Sequence, residues 1–165
     1  MATAPVVLRT ATETDVPAIL ELIQALAAYE RLSDDCIATE AKLRATLFGA
    51  APAAEVILAQ LDGGEIAGFA LFCSNYSTFL AQPGIWLEDL FVRPQHRGTG
   101  IGQALLAHLA ALAVKRDCGR VEWAVLDWNT ASIGFYESLG ARAMNEWTTF
   151  RLTGDAMTAL ARSAA

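Results

Sequence analysis

The stretch from residue 86 to residue 126 constrains the fold of this chain more than any other. It opens with the apolar run WLEDLFV, passes through a glycine-rich turn into leucines at helical spacing, and closes with a second apolar run, RVEWAVL. A strand, a helix and a strand in this order form a βαβ unit, in which the helix crosses the sheet and the two strands lie parallel. The chain is therefore expected to contain an α/β sheet with at least one parallel pair.

The residues before this unit supply the other strands of the predicted sheet. Apolar patterning and turn residues predict strands over residues 6–11, 55–60 and 65–75, one helix that ends near Tyr29, and a shorter helix over residues 39–49. Asp62, Gly63 and Gly64 connect the last two strands, and these residues suit the positive φ angles of a hairpin turn. Because the strands of a hairpin are antiparallel, the sheet is expected to be mixed.

The residues after the βαβ unit complete a single predicted domain. Residues 131–139 have a helical pattern that stops at Gly140, WTTFRLT at residues 147–153 predicts a terminal strand, and Asp155 is expected to cap a last helix. A chain of 165 residues has the length of one domain with enough interior for a core. We therefore expect residues 1–165 to form one α/β domain.

The composition narrows the class of ligand. Acidic residues number 18 against 12 basic ones, and the net charge of −6 disfavours nucleic acid as a partner and suits a cationic ligand. The three cysteines have no CxxC spacing, so neither a metal site nor a disulfide framework is predicted. No apolar segment reaches the roughly 20 residues of a membrane span, and no secretory signal is visible. A cytoplasmic location without membrane contact is the expectation.

The glycine-rich turn after the first strand of the βαβ unit has the features of an anion site. A helix N-terminus carries unpaired N–H groups and a partial positive charge, and glycines let the backbone approach a phosphate closely. Gln103 follows Gly102, so the turn lacks the Lys and Ser/Thr of a Walker A loop and the third glycine of GxGxxG. The pattern that fits is R/Q-x-x-G-x-G/A, here Arg97, Gly100 and Gly102. A tight turn that binds nothing is the alternative interpretation.

This pattern, between a central strand and a long helix, resembles the pyrophosphate-binding signature of the GNAT superfamily of N-acetyltransferases. The segments ALAAYERLSDD, YST, WLEDLFV, RGTGIG and AVLDWN with FYESLGA resemble its diamine acetyltransferase subfamily, which includes spermidine/spermine and thialysine Nε-acetyltransferases. The thialysine enzymes are the more similar, especially through AVLDWN. The resemblance implies a mixed twisted sheet with splayed central parallel strands and flanking helices, an enzyme that uses acetyl-CoA without a metal, and a homodimer.

The resemblance also implies roles for residues at the cofactor site. The backbone of the strand would pair with the pantetheine arm, the glycine turn would hold the pyrophosphate, and one asparagine would hydrogen-bond the cofactor. The residues at matching positions are, in that order, Leu90, Phe91 and Val92; Arg97, Gly98, Thr99, Gly100, Ile101 and Gly102; and Asn129.

At the reacting centre, the resemblance assigns Tyr136 as the donor that protonates the departing CoA thiolate. Four further residues match positions that meet the amine substrate: Tyr29, Glu30, Glu88 and Asp89. Successive strand residues point to opposite faces, so Glu88 and Asp89 share one cleft only if a bulge intervenes. We favour Glu88 as the carboxylate nearer the reacting amine, acting directly or through water. An exposed strand carboxylate, a core tyrosine at position 136 and an ordinary helix end at Tyr29 remain the alternatives.

The expected reaction is direct attack of a small primary amine on acetyl-CoA in a ternary complex. Ser77 and Phe79 stand where the spermidine/spermine branch carries Asp and Trp, which favours thialysine, a lysine-like amino acid or a small diamine over a long polyamine. Two alternatives stay open at this point. One is a non-catalytic module that binds acyl-CoA for regulation, and the other is a protein or peptide N-acetyltransferase of the same fold.

Overall fold

A mixed five-stranded sheet dominates the first part of the chain, in a computed structural model that describes residues 6–164. The strands follow one another in sheet order: β1 Val6–Thr10, β2 Glu55–Leu61, β3 Ile66–Ser77, β4 Gln82–Val92 and β5 Val121–Trp123. β1 to β4 are joined antiparallel, and β4 and β5 are parallel. The mixed sheet and its parallel pair are confirmed, as is the hairpin between β2 and β3.

Among residues 6–164, the sheet is accompanied by five α-helices: α1 Val16–Tyr29, α2 Glu40–Leu47, α3 Ile101–Lys115, α4 Thr130–Ser138 and α5 Gly154–Ala161. α1 has a proline in its first turn and buries Val16, Ile19, Leu22 and Leu26, residues three or four positions apart that form one helical face. α2 starts after Thr39, whose hydroxyl accepts a hydrogen bond from the Lys42 N–H at 3.3 Å. Within residues 6–164, no helix is long and apolar enough to span a bilayer.

The chain divides into two compact units, Met1–Ala124 and Val125–Ala165. We call the first the sheet unit and the second the C-terminal unit. In the sheet unit, the successive β2 residues Val56, Ile57, Leu58 and Ala59 are all buried, and because neighbouring strand residues point to opposite faces, both faces of the sheet are covered. The α1 face packs with Leu58, Phe69 and Phe91. α3 lies against β3 and β4 and buries Leu105 and Leu109 completely.

The C-terminal unit contains α4 and α5, and its structure corrects two predictions. Residues 147–153 do not form the predicted strand, and Phe150 is 91% exposed. A strand needs a neighbouring strand to pair its backbone N–H and C=O groups. Among the described residues of this unit, no strand is available for such pairing. Thr153 rather than Asp155 occupies the N-cap of α5, and Asp155 lies in its first turn, where a carboxylate still favours the helix dipole.

The parallel pair is shorter than the sequence suggests. β5 covers three residues instead of the predicted 120–126, and its register with β4 ends at Leu87 opposite Trp123. β4 itself continues to Val92. The second half of β4 therefore extends beyond the end of the β5 ladder, which leaves its residues Leu90–Val92 without a β5 partner.

Candidate active site

A β-bulge in β4 sets the geometry of the acidic pair. On β3, Leu71 lies opposite Asp89 and the next residue, Phe72, lies opposite Leu87, so Glu88 has no partner of its own. One extra residue in a strand breaks the alternation of side chains and bends the strand locally. The condition under which Glu88 and Asp89 can face the same region is thus met.

Asp89 carries the most perturbed carboxyl group of the predicted site. Its side chain is partly buried, and loss of hydration raises the pKa of Asp89 to about 6, with further contributions from the negative charges of Glu88 and Glu30. The charges of Glu88, the preceding residue on β4, and of Glu30, at the end of α1, therefore both act on Asp89. A carboxyl group with a pKa close to neutral can both accept and release a proton at physiological pH.

Glu88 is exposed and held by a neighbour on its own strand. The Trp86 indole Nε1–H donates a 2.7 Å hydrogen bond to Glu88 Oε2, and Trp86 and Glu88 lie two positions apart on β4. This contact was not predicted from the sequence. The preference for Glu88 as proton acceptor stays a prediction, and Asp89 is the carboxyl whose environment is the more suited to that role.

Glu30 completes what we call the carboxylate cluster, Glu30, Glu88 and Asp89. It follows α1 directly, and burial raises its pKa. The cluster also affects Cys73, which lies opposite Trp86 in the β3–β4 register: burial raises the pKa of its thiol, with a smaller contribution from the charge of Glu88. Two carboxylates whose charges act on a third, partly buried one favour a ligand with positive charge.

The glycine turn precedes α3 as predicted. Gly98 and Gly100 have φ angles of +73° and +87°, a region that side chains with a Cβ rarely adopt. Gly100 is the N-cap of α3, and no side chain of the described residues caps that helix end. The first N–H groups of α3 are therefore available to an anion.

The surroundings of this turn fit a diphosphate. A Cβ placed on Gly98 or Gly100 would meet no heavy atom within 4 Å among the described residues, so open space lies beside both glycines. Thr99 Oγ1 donates to the His96 carbonyl at 2.6 Å and closes the turn. An open, positively polarised turn with a nearby arginine is the donor set that a diphosphate requires.

Arg97 links this turn to α1. Its Nε donates to the Val92 carbonyl at 3.0 Å, and its guanidinium carbon lies 4.4 Å from the centre of the Tyr29 ring and 5.5 Å from the centre of the Phe91 ring. The structure thus brings Tyr29, which was expected at the amine, against the predicted pyrophosphate residue. Nothing in the sequence signalled this contact, because the two residues belong to distant segments.

The other two predicted site residues lie in the C-terminal unit. Asn129 is buried at the N-cap of α4, where its Oδ1 accepts a hydrogen bond from the Ser132 N–H at 3.3 Å. Tyr136 lies on α4, and its ring centre is 5.4 Å from that of Phe135. The helix ends at Ser138 and is followed by Gly140 with φ of +89°, the stop that the sequence predicts.

Comparison with known proteins identifies the family. The sequence model described as the Acetyltransferase (GNAT) family matches residues 21–141, a range that includes the carboxylate cluster, the glycine turn and α4. The chain belongs to the acetyltransferase (GNAT) family. Members of this family use acetyl-CoA as cosubstrate, and the expected fold and enzyme class are confirmed.

Two relatives of this GNAT protein are named as amine acetyltransferases. Thialysine N-epsilon-acetyltransferase of Sus scrofa is 38% identical over 168 residues, which cover 96% of this chain and 98% of the relative. L-ornithine N5-acetyltransferase of Arabidopsis thaliana is 37% identical, covering 93% of this chain and 86% of the relative. An integron cassette protein from the mobile metagenome of V. cholerae has a similar structure, with a TM-score of 0.81 at 25% identity, over 98% of this chain and 99% of that one.

Proposed function

We propose that this GNAT protein transfers the acetyl group of acetyl-CoA to a primary amine of a small cationic substrate, such as thialysine, ornithine or another lysine-like amino acid, or a short diamine. The observation that carries the proposal is the carboxylate cluster at the β4 bulge, in a chain whose relatives are named for thialysine and ornithine. A long polyamine is the less favoured substrate, because neither Ser77, at the end of β3, nor Phe79, two residues later, carries a carboxylate.

The cosubstrate would be held by the sheet unit at β4 and α3. Acetyl-CoA supplies the activated acetyl group. The backbone of Leu90, Phe91 and Val92 offers strand hydrogen bonds to an extended ligand, since the β5 ladder ends before these residues. The residues proposed to bind the diphosphate are Arg97, Gly98, Thr99, Gly100, Ile101 and Gly102. Asn129 is proposed as a further hydrogen-bonding residue for the same ligand.

The acceptor amine must lose a proton before it can attack. An ammonium with a pKa near 10.4 is neutral in only about one molecule in a few thousand at pH 7, which costs nearly 5 kcal/mol. A nearby carboxylate raises the pKa of the ammonium further, so attraction alone does not activate it. The cluster must therefore also contain a group that receives the proton.

We propose Asp89 as the favoured proton acceptor, whereas the sequence alone favoured Glu88. With a pKa of about 6, Asp89 is a better proton acceptor than a carboxylate at the ordinary value of 3.8, by about 3 kcal/mol. Glu88, exposed and hydrogen-bonded to Trp86, is suited to attract a positively charged substrate, and Glu30 can bind a second ammonium of that substrate. We infer that the proton passes to Asp89 or Glu88, directly or through water, as the amine attacks.

Tyr136 is proposed as the acid that assists departure of the thiolate. A thiol has a pKa of about 8.5 and a tyrosine about 10, so complete proton transfer in water is uphill by roughly 2 kcal/mol. The hydroxyl can nevertheless stabilise the developing negative charge through a strong hydrogen bond, with proton transfer coupled to cleavage of the C–S bond.

We further propose that residues 1–165 work as one acetyltransferase domain, in a cytoplasmic homodimer as the family resemblance implies.

An amine panel tests the proposal directly. The purified protein is mixed with acetyl-CoA and one acceptor at a time, namely lysine, thialysine, ornithine, putrescine, spermidine or a lysine-containing peptide, and the release of free thiol is recorded. We expect turnover with at least one amino-acid or diamine acceptor and kcat/KM at least ten-fold lower for the peptide. Turnover with the peptide alone would contradict the substrate class. Binding of CoA without thiol release from any acceptor would support a non-catalytic module instead.

A further inference from the structure

The end of α1 contacts the residue that begins the glycine turn. Tyr29, the last residue of α1, lies under the guanidinium of Arg97, and the next residue, Glu30, contributes to the raised pKa of Asp89. One residue thus contacts the turn proposed to hold the diphosphate, and its neighbour belongs to the carboxylate cluster. The expected role of Tyr29 at the amine does not account for its contact with Arg97.

The Tyr29 ring is a fixed surface rather than a mobile side chain. It is partly buried and packs against the hydrophobic core that α1 shares with the sheet, and Phe91, the second ring near Arg97, is only 4% exposed. A cation above an aromatic face within about 6 Å is attracted by the ring quadrupole. Two rings held by the core can therefore hold the guanidinium in one place.

The guanidinium held in this way keeps its binding capacity. Its Nε is used by the Val92 carbonyl, whereas among residues 6–164 the structure gives its two η nitrogens no hydrogen bond. Arg97 is exposed, and it directly precedes Gly98 and the open side of the turn. Ordering a long arginine side chain costs conformational entropy at the moment of binding, and a side chain that is already held avoids most of that cost.

We propose that Tyr29 is a positioning residue of the cosubstrate site, whose ring holds the Arg97 guanidinium ready for the diphosphate of CoA. This inference rests on the proposed function, because it assumes that the glycine turn binds that diphosphate. It assigns Tyr29 to the cosubstrate rather than to the amine.

Calorimetric titration with CoA and with 3′-dephospho-CoA, which keeps the diphosphate, tests the role of the ring. Tyr29→Leu removes the aromatic face and should weaken both ligands by about two- to five-fold, whereas Tyr29→Phe keeps the face and should bind both normally. In an Arg97→Gln background, Tyr29→Leu should cause no further loss of affinity for either ligand, since the guanidinium that the ring positions is then absent. In turnover assays, Tyr29→Leu should raise the KM for acetyl-CoA and leave kcat unchanged.

A second series keeps the shape of the ring, in case Tyr29→Leu does not fold. Phenylalanine with one, two or three ring fluorines at position 29 weakens the quadrupole stepwise, and the affinity for CoA should fall in the same order. Unchanged affinity along this series, an equal loss in Tyr29→Phe, or additive losses with Arg97→Gln would overturn the positioning role. If the unaltered protein gives no heat with CoA, the proposed function itself fails. If the unaltered protein binds CoA but the affinity does not depend on the ring at position 29, only the positioning role of Tyr29 fails.

Discussion

The substitution Asp89→Asn should stabilise the folded protein at neutral pH while it removes activity. Burial raises the pKa of Asp89 from an ordinary value of 3.8 to about 6. Between these two values the folded protein keeps a proton that the unfolded chain has released, so the free energy of unfolding falls as the pH rises through that range. Above pH 6 the folded protein carries a carboxylate in a position that disfavours its charge, and asparagine removes that charge.

The magnitude follows from the same two pKa values. A rise from 3.8 to about 6 corresponds to about 3 kcal/mol at neutral pH, and because Asp89 is only partly buried we expect a gain of roughly 1–3 kcal/mol. For a chain of this length each kcal/mol moves Tm by about 2–4 °C. Turnover should fall by about 100-fold or more, since a general base contributes at least that factor.

Thermal unfolding at pH 4 and at pH 7.5 provides the assay, with thiol release measured on the same samples. The difference in Tm between Asp89→Asn and the unaltered protein should be near zero at pH 4 and largest at pH 7.5. Asp62→Asn, a matched change of an exposed carboxylate in the β2–β3 turn, should leave Tm within about 1–2 °C at both pH values. A gain that is equal at both pH values, or a loss at pH 7.5, would refute the assignment of a disfavoured charge to Asp89.

Three further predictions concern the turn, the acid and the base. Gly100→Ala should lower the free energy of unfolding by about 1–2 kcal/mol and weaken CoA binding, because alanine disfavours the φ of +87° at that position. Gly134→Ala, inside α4, should instead raise the free energy of unfolding by about 0.5–1 kcal/mol. Equal effects of the two substitutions in chemical denaturation would contradict this prediction. Tyr136→Phe should lower kcat far more than it weakens CoA binding in calorimetry, and unchanged turnover would remove its role as acid. kcat/KM for the amine should rise with pH through about 6, as Asp89 loses its proton. It should continue to rise through neutrality, because the neutral fraction of the amine grows with pH. A flat profile would argue against both a carboxylate base and a neutral nucleophile.

The parts of the fold that follow from local chemistry could be predicted from the sequence. The strand before the glycine turn, the start of α3 at Ile101 and the hairpin at Asp62 to Gly64 all depend on periodicity and on residues that suit positive φ. These signals lie within a few residues of the structure they produce. The family signature at Arg97 to Gly102 belongs to the same group, since its spacing is local.

The features that the sequence did not predict depend on what a segment pairs with. The bulge at Glu88 exists only relative to the register of β3, and an isolated reading of WLEDLFV gives strict alternation. Residues 147–153 have a strand pattern, yet a strand requires a partner edge that the pattern does not supply. The contact of Tyr29 with Arg97 joins a helix end to a distant turn, and only tertiary packing of α1 against the sheet creates it.

Initial rates over a matrix of acetyl-CoA and thialysine or ornithine concentrations, with the acetylated amine identified by mass spectrometry, test the central claim most directly. Direct attack in a ternary complex predicts double-reciprocal lines that intersect, with one acetylated amine formed for each thiol released. Parallel lines would indicate that the acetyl group first moves to the protein, for example to Cys73 beside the cluster, and would contradict the account. Absence of any acetylated amine across the matrix would contradict it as well.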